Sequence, residues 1–353
     1  MIKGLTAGIS LVALAAASSA FAQNSSTVTQ DGSGNTADVS QSDYFGTPGS
    51  SSSDINQVGD NNDADVVQTN AGNDSDIDQI ATGSNTATVT QTAGASNSSS
   101  TVLQDGTSDN NTASVGQFSA NQASSSVTQT DSLNGFANVF QGGGANGLMN
   151  SSTIVQGDSS SAAGTVTGAL NAQAFVNQEG DFNSSTIVQT GDFQIGQVNQ
   201  FGVGSNNIAE ITQGAFGGAS NNAFIEQLGD SDTAEIAQSS SNGDADIIQN
   251  GSGAGSFALI DQGFNNGTGS GADLNRAQTN QSGSGNFSAT RQNELTAGGS
   301  NQADNLQENG DNTSLITQEG SMHIATVNQY DGSTSTVTQS GTSNTVTVTQ
   351  GTP

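Results

Sequence analysis

His323 is the single histidine of this 353-residue chain, and there is no cysteine. An imidazole moves protons near neutral pH, and beside a serine and a carboxylate it would support hydrolysis. No His/Ser/Asp or Cys/His pairing is available here, so the usual hydrolase constellations are absent and no enzyme is expected. Two Asp-rich stretches come next, "DNNDAD" over residues 60–65 and "DSDID" over residues 74–78, because clustered carboxylates hold hard cations. A calcium loop starting at Asp74 lacks its turn glycine and has Asn85 where the terminal Glu belongs, so a solvated acidic face is the expectation. "GSGAGS" from Gly251 lacks the strand-to-helix context of a phosphate loop and reads as a turn. No cofactor and no metal is expected. The chemistry left over belongs to amides.

"NTADVSQ" at residues 35–41 returns as "NDADVVQ" from Asn62, "NTATVTQ" from Asn85 and "NTASVGQ" from Asn111. With the phrase numbered 0 to 6, about 27 copies lie between Asn24 and Gln350. Position 6 is Gln in all but one copy, where Gly168 stands. Position 4 is Val or Ile except at Thr279, Thr290 and Asn305. Position 2 is Ala, Ser or Gly except at Val346, and position 0 is most often Asn. Odd positions are a free polar mixture. A period of two is a β-strand, with the even positions on one face and the odd ones on the other. Turn formers such as "DGSG" after Gln30 and "ENGD" after Gln307 separate the strands. No 3.6-residue stripe follows the first residues, so no helix is expected in the mature chain.

A lone coil of two such strands does not stand. Each ordered residue costs roughly 1–2 kcal/mol of backbone entropy, and one buried Val or Ile returns about 1.5–3 kcal/mol. Coils must therefore stack, so that backbone groups pair with the coils on either side. Stacking also accounts for the amides, because Gln residues one rung apart can pass hydrogen bonds along the stack, where an isolated buried amide would be costly. The position-6 ladder is assigned to Gln30, Gln41, Gln57, Gln68, Gln79, Gln91, Gln189, Gln200, Gln318, Gln329 and Gln350. Asn35, Asn62, Asn85, His323 and Asn344 are assigned to an equivalent amide ladder at position 0. The fold expected is all-β, a β-solenoid of about thirteen two-strand coils and one leftover strand. Taking the strands that end at Gln30 and Gln41 as first and second arms, the long spacers before Gln57, Gln156, Gln227, Gln281 and Gln307 fall between coils. Pro48 lies in one of them, where no ladder N–H is needed.

The first 22 residues read as a secretory signal: Lys3, the short apolar run "GISLVALAAA" and "AFA" before a cut after Ala22. Residues 23–353 are then the repeat domain, secreted and without disulfides. Loss of Lys3 leaves Arg276 and Arg291 against 32 carboxylates, a balance of −30. Nucleic acid and anionic membranes are excluded as partners, and no later apolar run is long enough to insert into a membrane.

"SSTVTQDGSGNTADVSQ" from Ser25 and "LITQEGSMHIATVNQ" from Leu315 resemble the curlin repeat family, the major subunits of bacterial curli fibres. The family's unit runs from Ser and Gln through a Gly-containing turn to Asn-x-Ala and a second Gln. The resemblance spans almost the whole mature chain. It implies an amyloid-forming solenoid, exported through a dedicated outer-membrane pore, that builds biofilm matrix as an extracellular fibre at the cell surface. The partners it implies are further copies of the chain, a nucleator subunit and the secretion pore. The chain departs from the family in its greater length, in having Phe where the family uses Tyr, and in showing no Gly-rich targeting segment after the signal. Two other readings stand beside the fibre subunit. One is a nucleator or adhesin of the same system. The other is an ice-binding solenoid, since "TVT" recurs at Thr27, Thr88, Thr336 and Thr347.

Overall fold

The structure, a computed structural model, describes residues 24–42, 50–81, 83–92, 96–106, 110–118, 121–142, 149–157, 171–201, 206–214, 220–239, 242–251, 255–264, 274–294 and 300–352. The signal segment and Pro48 lie outside them. The described residues form 26 strands and no helix. Strands alternate between two parallel sheets of 13, one built from first arms and one from second arms. Each pair of consecutive strands is one coil of a β-solenoid. Ser25–Asp31 and Thr36–Ser42 form the first coil, and Thr334–Thr342 and Thr345–Gln350 the last.

Register is kept by like pairing with like. Gln30 stands over Gln57, Val28 over Ile55, Gln41 over Gln68 and Val39 over Val66. A slip of one residue would turn every Val and Ile to water, so burial enforces the alignment. Inside the coils the position-4 column is fully buried, with Ile55, Val66, Ile77, Val89, Ile154, Ile187 and Ile236 all at zero exposure. Small residues at position 2 let the facing sheet approach. A Cβ on Gly196 would crowd the Ile187 side chain at 2.9 Å. Odd positions face outward; Phe257 and Phe287 stack in register there at 5.2 Å between ring centres, and Phe118 and Phe140 stack diagonally at 5.3 Å, each over a glycine of the other's strand.

The corner before each position 0 has its own rule. In most rungs the preceding residue has a positive φ, as at Asn61, Asn97, Asn110, Asn134, Asn171 and Asn242, with glycine taking the slot at Gly34, Gly72 and Gly285. Gly and Asn tolerate this left-handed conformation best. Phe182, Phe193 and Met322 adopt it too, with φ near 55°, so packing overrides local preference at those corners.

One expectation is corrected. The strand ending at Gln141 pairs directly with the one ending at Gln178, and that ending at Gln156 pairs with that ending at Gln189. The copy that carries Gly168 lies outside the described residues. No leftover strand exists among the described residues. The arms assigned from sequence therefore exchange after Gln156, and the spacers before Gln227, Gln281 and Gln307 lie inside coils instead of between them. The physical reason is that loop closure grows only slowly more costly with length, so either corner accepts a long insertion.

Candidate functional site

The Gln columns are the most continuous polar feature of the solenoid. In the first-arm sheet each Gln donates Nε2–H to Oε1 of the next rung without interruption: Gln30 to Gln57 (2.7 Å), Gln57 to Gln79 (2.8 Å), and so on to Gln318 and Gln339 (2.9 Å). The second-arm sheet does the same from Gln41 to Gln68 (2.7 Å), through Gln91 and Gln200, to Gln329 and Gln350 (3.2 Å). The second Nε2 hydrogen crosses to the opposite arm. Gln57 donates to the Thr36 carbonyl at 2.8 Å, Gln68 to Ser52 at 2.9 Å, Gln189 to Gln173 at 2.9 Å and Gln200 to Ser184 at 3.0 Å. Each Gln thus links rung to rung and sheet to sheet, which leaves neither amide hydrogen unpaired. Asn is too short to do both, which is why position 6 is Gln.

Position 0 works differently from the ladder read in the sequence. Asn35 Oδ1 accepts from the backbone N–H of Asn62 (2.9 Å), Asn62 Oδ1 from Asn85 N–H (3.3 Å) and Asn85 Oδ1 from Asn111 N–H (3.1 Å). Where the amide NH2 is bonded it turns mostly to backbone carbonyls, as Asn35 does to Gly59 at 2.8 Å and Asn344 to Ser340 at 2.7 Å; Asn312 also donates to Asn286 Oδ1 at 3.1 Å, and the NH2 of Asn62 and Asn85 has no partner. The column is side chain to backbone, because the left-handed corner exposes one N–H per rung that no strand partner meets. His323 fits it without an amide. Its backbone N–H donates to Asn301 Oδ1 (3.0 Å), and its Nδ1 accepts from Asn344 N–H (3.3 Å). Nε2 therefore carries the proton and donates to the Glu319 carbonyl at 3.1 Å. The ring is fully buried and meets no carboxylate side chain in these bonds.

Three features were not legible in the residue pattern. In the first-arm sheet Ser53, Ser75, Ser100, Ser125, Ser152 and Ser185 stack at position 2, buried, with hydroxyls that have no partner. Thr279 and Asn305 meet Ser288 across the coil at 3.2 and 2.6 Å, a polar knot in the apolar column that leaves Thr290 Oγ1 and Asn305 Oδ1 unpaired. Asp232 stands in the position-0 column of buried amides.

The acidic stretches lie in outward columns. Asp38 stands over Asp65, Asp54 over Asp76 and Glu210 over Glu235. Partial burial, then repulsion from the stacked acid, pushes the Asp65, Asp76 and Glu235 carboxyls above their ordinary range; for Asp76 the nearest repelling neighbour is Asp78. Among the described residues no group of three or more such side chains is placed to hold a metal ion. Arg276 lies between Asp244 and Asp304 at 3.9 and 3.7 Å, and Arg291 is 3.3 Å from Asp261.

The two ends complete the site. Every Gln donates toward the C-terminal rung. Among the described residues, Gln30 Oε1 and Gln41 Oε1 receive no amide, while Gln339 and Gln350 have no further Gln to donate to. The terminal Val28, Val39, Val346 and Val348 are only partly buried. The last rungs, "STSTVTQ" and "NTVTVTQ", carry nearly the same phrases as the first, "NSSTVTQ" and "NTADVSQ". Comparison with known proteins finds no family model that matches the chain and no curated protein similar to it.

Proposed function

We propose that this chain is the structural subunit of an extracellular, curli-like amyloid fibre. It grows when the C-terminal rung of one copy stacks on the N-terminal rung of the next. The carrying observation is the polarity of the amide columns, with the Gln30 and Gln41 oxygens unfilled at one end and the Gln350 amide unpaired at the other, while Gln339 turns its amide to the Ile324 and Asn344 carbonyls until a further rung arrives, over rungs of matching sequence. A second copy in register sets Gln339 against Gln30 and Gln350 against Gln41, and buries the four half-exposed valines. Such a contact is heterologous, so it generates a filament. Globular proteins cover or charge such edges. Secretion through an outer-membrane pore, a nucleating partner and a role in biofilm and cell adhesion belong to the same proposal. Ice binding is disfavoured, because Thr27 has Asp54 beside it and Thr88 has Asp65, which breaks the flat Thr array that ice needs.

The test is fibre diffraction and thioflavin T kinetics on the purified mature chain. A meridional spacing of about 4.7 Å is expected, with elongation slowed at least ten-fold when Gln339 and Gln350 are both replaced by Leu. A chain that stays monomeric under all growth conditions overturns the proposal.

A further inference from the structure

Asp232 occupies a slot built for a neutral amide. Its backbone N–H donates to Asn207 Oδ1 at 2.9 Å, and its own Oδ1 accepts from Ser256 N–H at 3.0 Å, as an Asn Oδ1 does in other rungs. Oδ2 then stands where Asn places its NH2. That NH2 donates to a backbone carbonyl in Asn150 (Gly180, 3.0 Å), Asn207 (Gly229, 2.8 Å) and Asn301 (Gly320, 3.0 Å), and is without a partner in Asn62, Asn85, Asn221 and Asn275. Asp232 is fully buried, and Oδ2 has no partner. The space around it is tight, since a Cβ on Gly229 would overlap both Asp232 Oδ2 and the Gly251 carbonyl oxygen. An oxygen facing carbonyls needs a proton to bond with them.

We propose that Asp232 is a proton-operated latch in the coil: as the neutral acid it completes the position-0 column through Oδ2–H, and on ionising it loosens its own rung and the two beside it. The groups that face it set no opposing charge. The rung before brings Asn207, and the rung after brings Ser256. Across the corner, Gln249 of the second-arm sheet donates to the Thr233 carbonyl at 3.1 Å. Asp230, in the same turn, is the charged neighbour and repels. Burial, and after it Asp230, raise the Asp232 carboxyl to about 6, against the one hydrogen bond from Ser256.

The sign follows from linkage. The folded carboxyl holds its proton above the range in which the unfolded chain releases it, near 4, so folding is unpenalised below that range. The penalty grows as pH rises to about 6 and is constant beyond. The latch therefore favours the closed coil in acid and weakens it at neutral pH, whether or not copies stack end to end.

The experiment follows the carboxyl carbon of Asp232 by NMR in the ¹³C-labelled chain, assigned by its loss in Asp232→Asn. Hydrogen exchange is read at the Ile208, Thr233 and Ser256 amides. The expected midpoint is about 6. Protection of those amides, corrected for intrinsic exchange, should fall on the order of a hundred-fold between acid and neutral pH in the parent. It should fall much less in Asp232→Asn, which restores the column's amide and leaves the Glu210–Glu235 column as the acid-sensitive neighbour. A midpoint in the ordinary carboxylate range, or the same pH profile in both chains, overturns the latch. A chain that never forms fibres yet titrates as expected would remove the proposed function and leave the latch standing.

Discussion

At the residue scale, side chains of similar polarity have opposite worth inside this coil. Gln68 receives from Gln41 and donates to Gln91 and to the Ser52 carbonyl. Replacing it with Leu keeps the bulk but strands the Gln41 amide hydrogen and the Gln91 oxygen, each costing about 1–3 kcal/mol when buried. The Ser75 hydroxyl has no partner at all, so Ser75→Ala removes a buried polar group that earns no bond. Urea unfolding followed by circular dichroism should show Gln68→Leu destabilised by about 3 kcal/mol and Ser75→Ala equal to or more stable than the parent. Ala209, Ala234 and Ala258 already fill that column five rungs on and beyond. Comparable losses in both variants would mean that the Gln column does not carry the coil.

At the element scale, three adjacent strands form the weakest part of the solenoid. Arg276–Gln281, Phe287–Glu294 and Gln302–Glu308 hold Thr279, Thr290 and Asn305 in place of Val or Ile. Their apolar burial is smaller and three buried polar atoms, on Thr290, Asp304 and Asn305, make no hydrogen bond, so opening there costs less than elsewhere. The two arginines lie on these strands, half exposed and held by acids on neighbouring rungs. Trypsin should therefore cut soluble subunits at Arg276 and Arg291 through local opening, and more slowly once the chain is assembled. Hydrogen exchange that ranks these strands as the best protected of the chain would refute the point. The turn between the first two of them is tight for a separate reason. Gly283 has a φ of 97°, and a Cβ on it would overlap the Asn309 carbonyl, so this corner accepts no other residue without moving the rung above.

At the scale of the whole molecule, charge opposes the stack. The chain carries a formal charge of −29, part of it in outward columns such as Asp38 over Asp65 and Glu210 over Glu235, and repulsion one rung apart is weakened but not removed by water and salt. Asp65, Asp76 and Glu235 are raised above their ordinary values in the folded coil. Their penalty is present when they are ionised and is relieved as pH falls through the raised values, so stacking is favoured in acid. Assembly lag time should shorten several-fold from pH 7 to pH 4 at matched ionic strength. Millimolar calcium at pH 7 should shorten it as well, by bridging carboxylates along a column without a built loop. A lag indifferent to both acid and calcium would show that these columns do not govern growth. Asp232→Asn separates the interior contribution, because it leaves the outer columns intact.

The period-two phrase by itself determined a great deal. It set which residues face inward, because a slip would expose every Val and Ile, and it set the stacking, because no single coil can offset its ordering entropy. The Gln column followed, since an amide repeated at one inward position has no partner except its own copy in the next rung. The tertiary structure decided what period cannot encode. Which strands pair was one such matter: the Gly168 phrase matched the pattern, yet Gln141 pairs with Gln178 and Gln156 with Gln189. The partners of position 0 were another. Asn looked like a second amide ladder, but the left-handed corners at residues such as Asn61 and Asn110 turn a backbone N–H toward Oδ1. The unpaired serines and the protonated slot of Asp232 also emerged only when the coils closed. Alternation along a strand says which way a side chain points, but the groups it meets there arrive from rungs some 16 to 37 residues away.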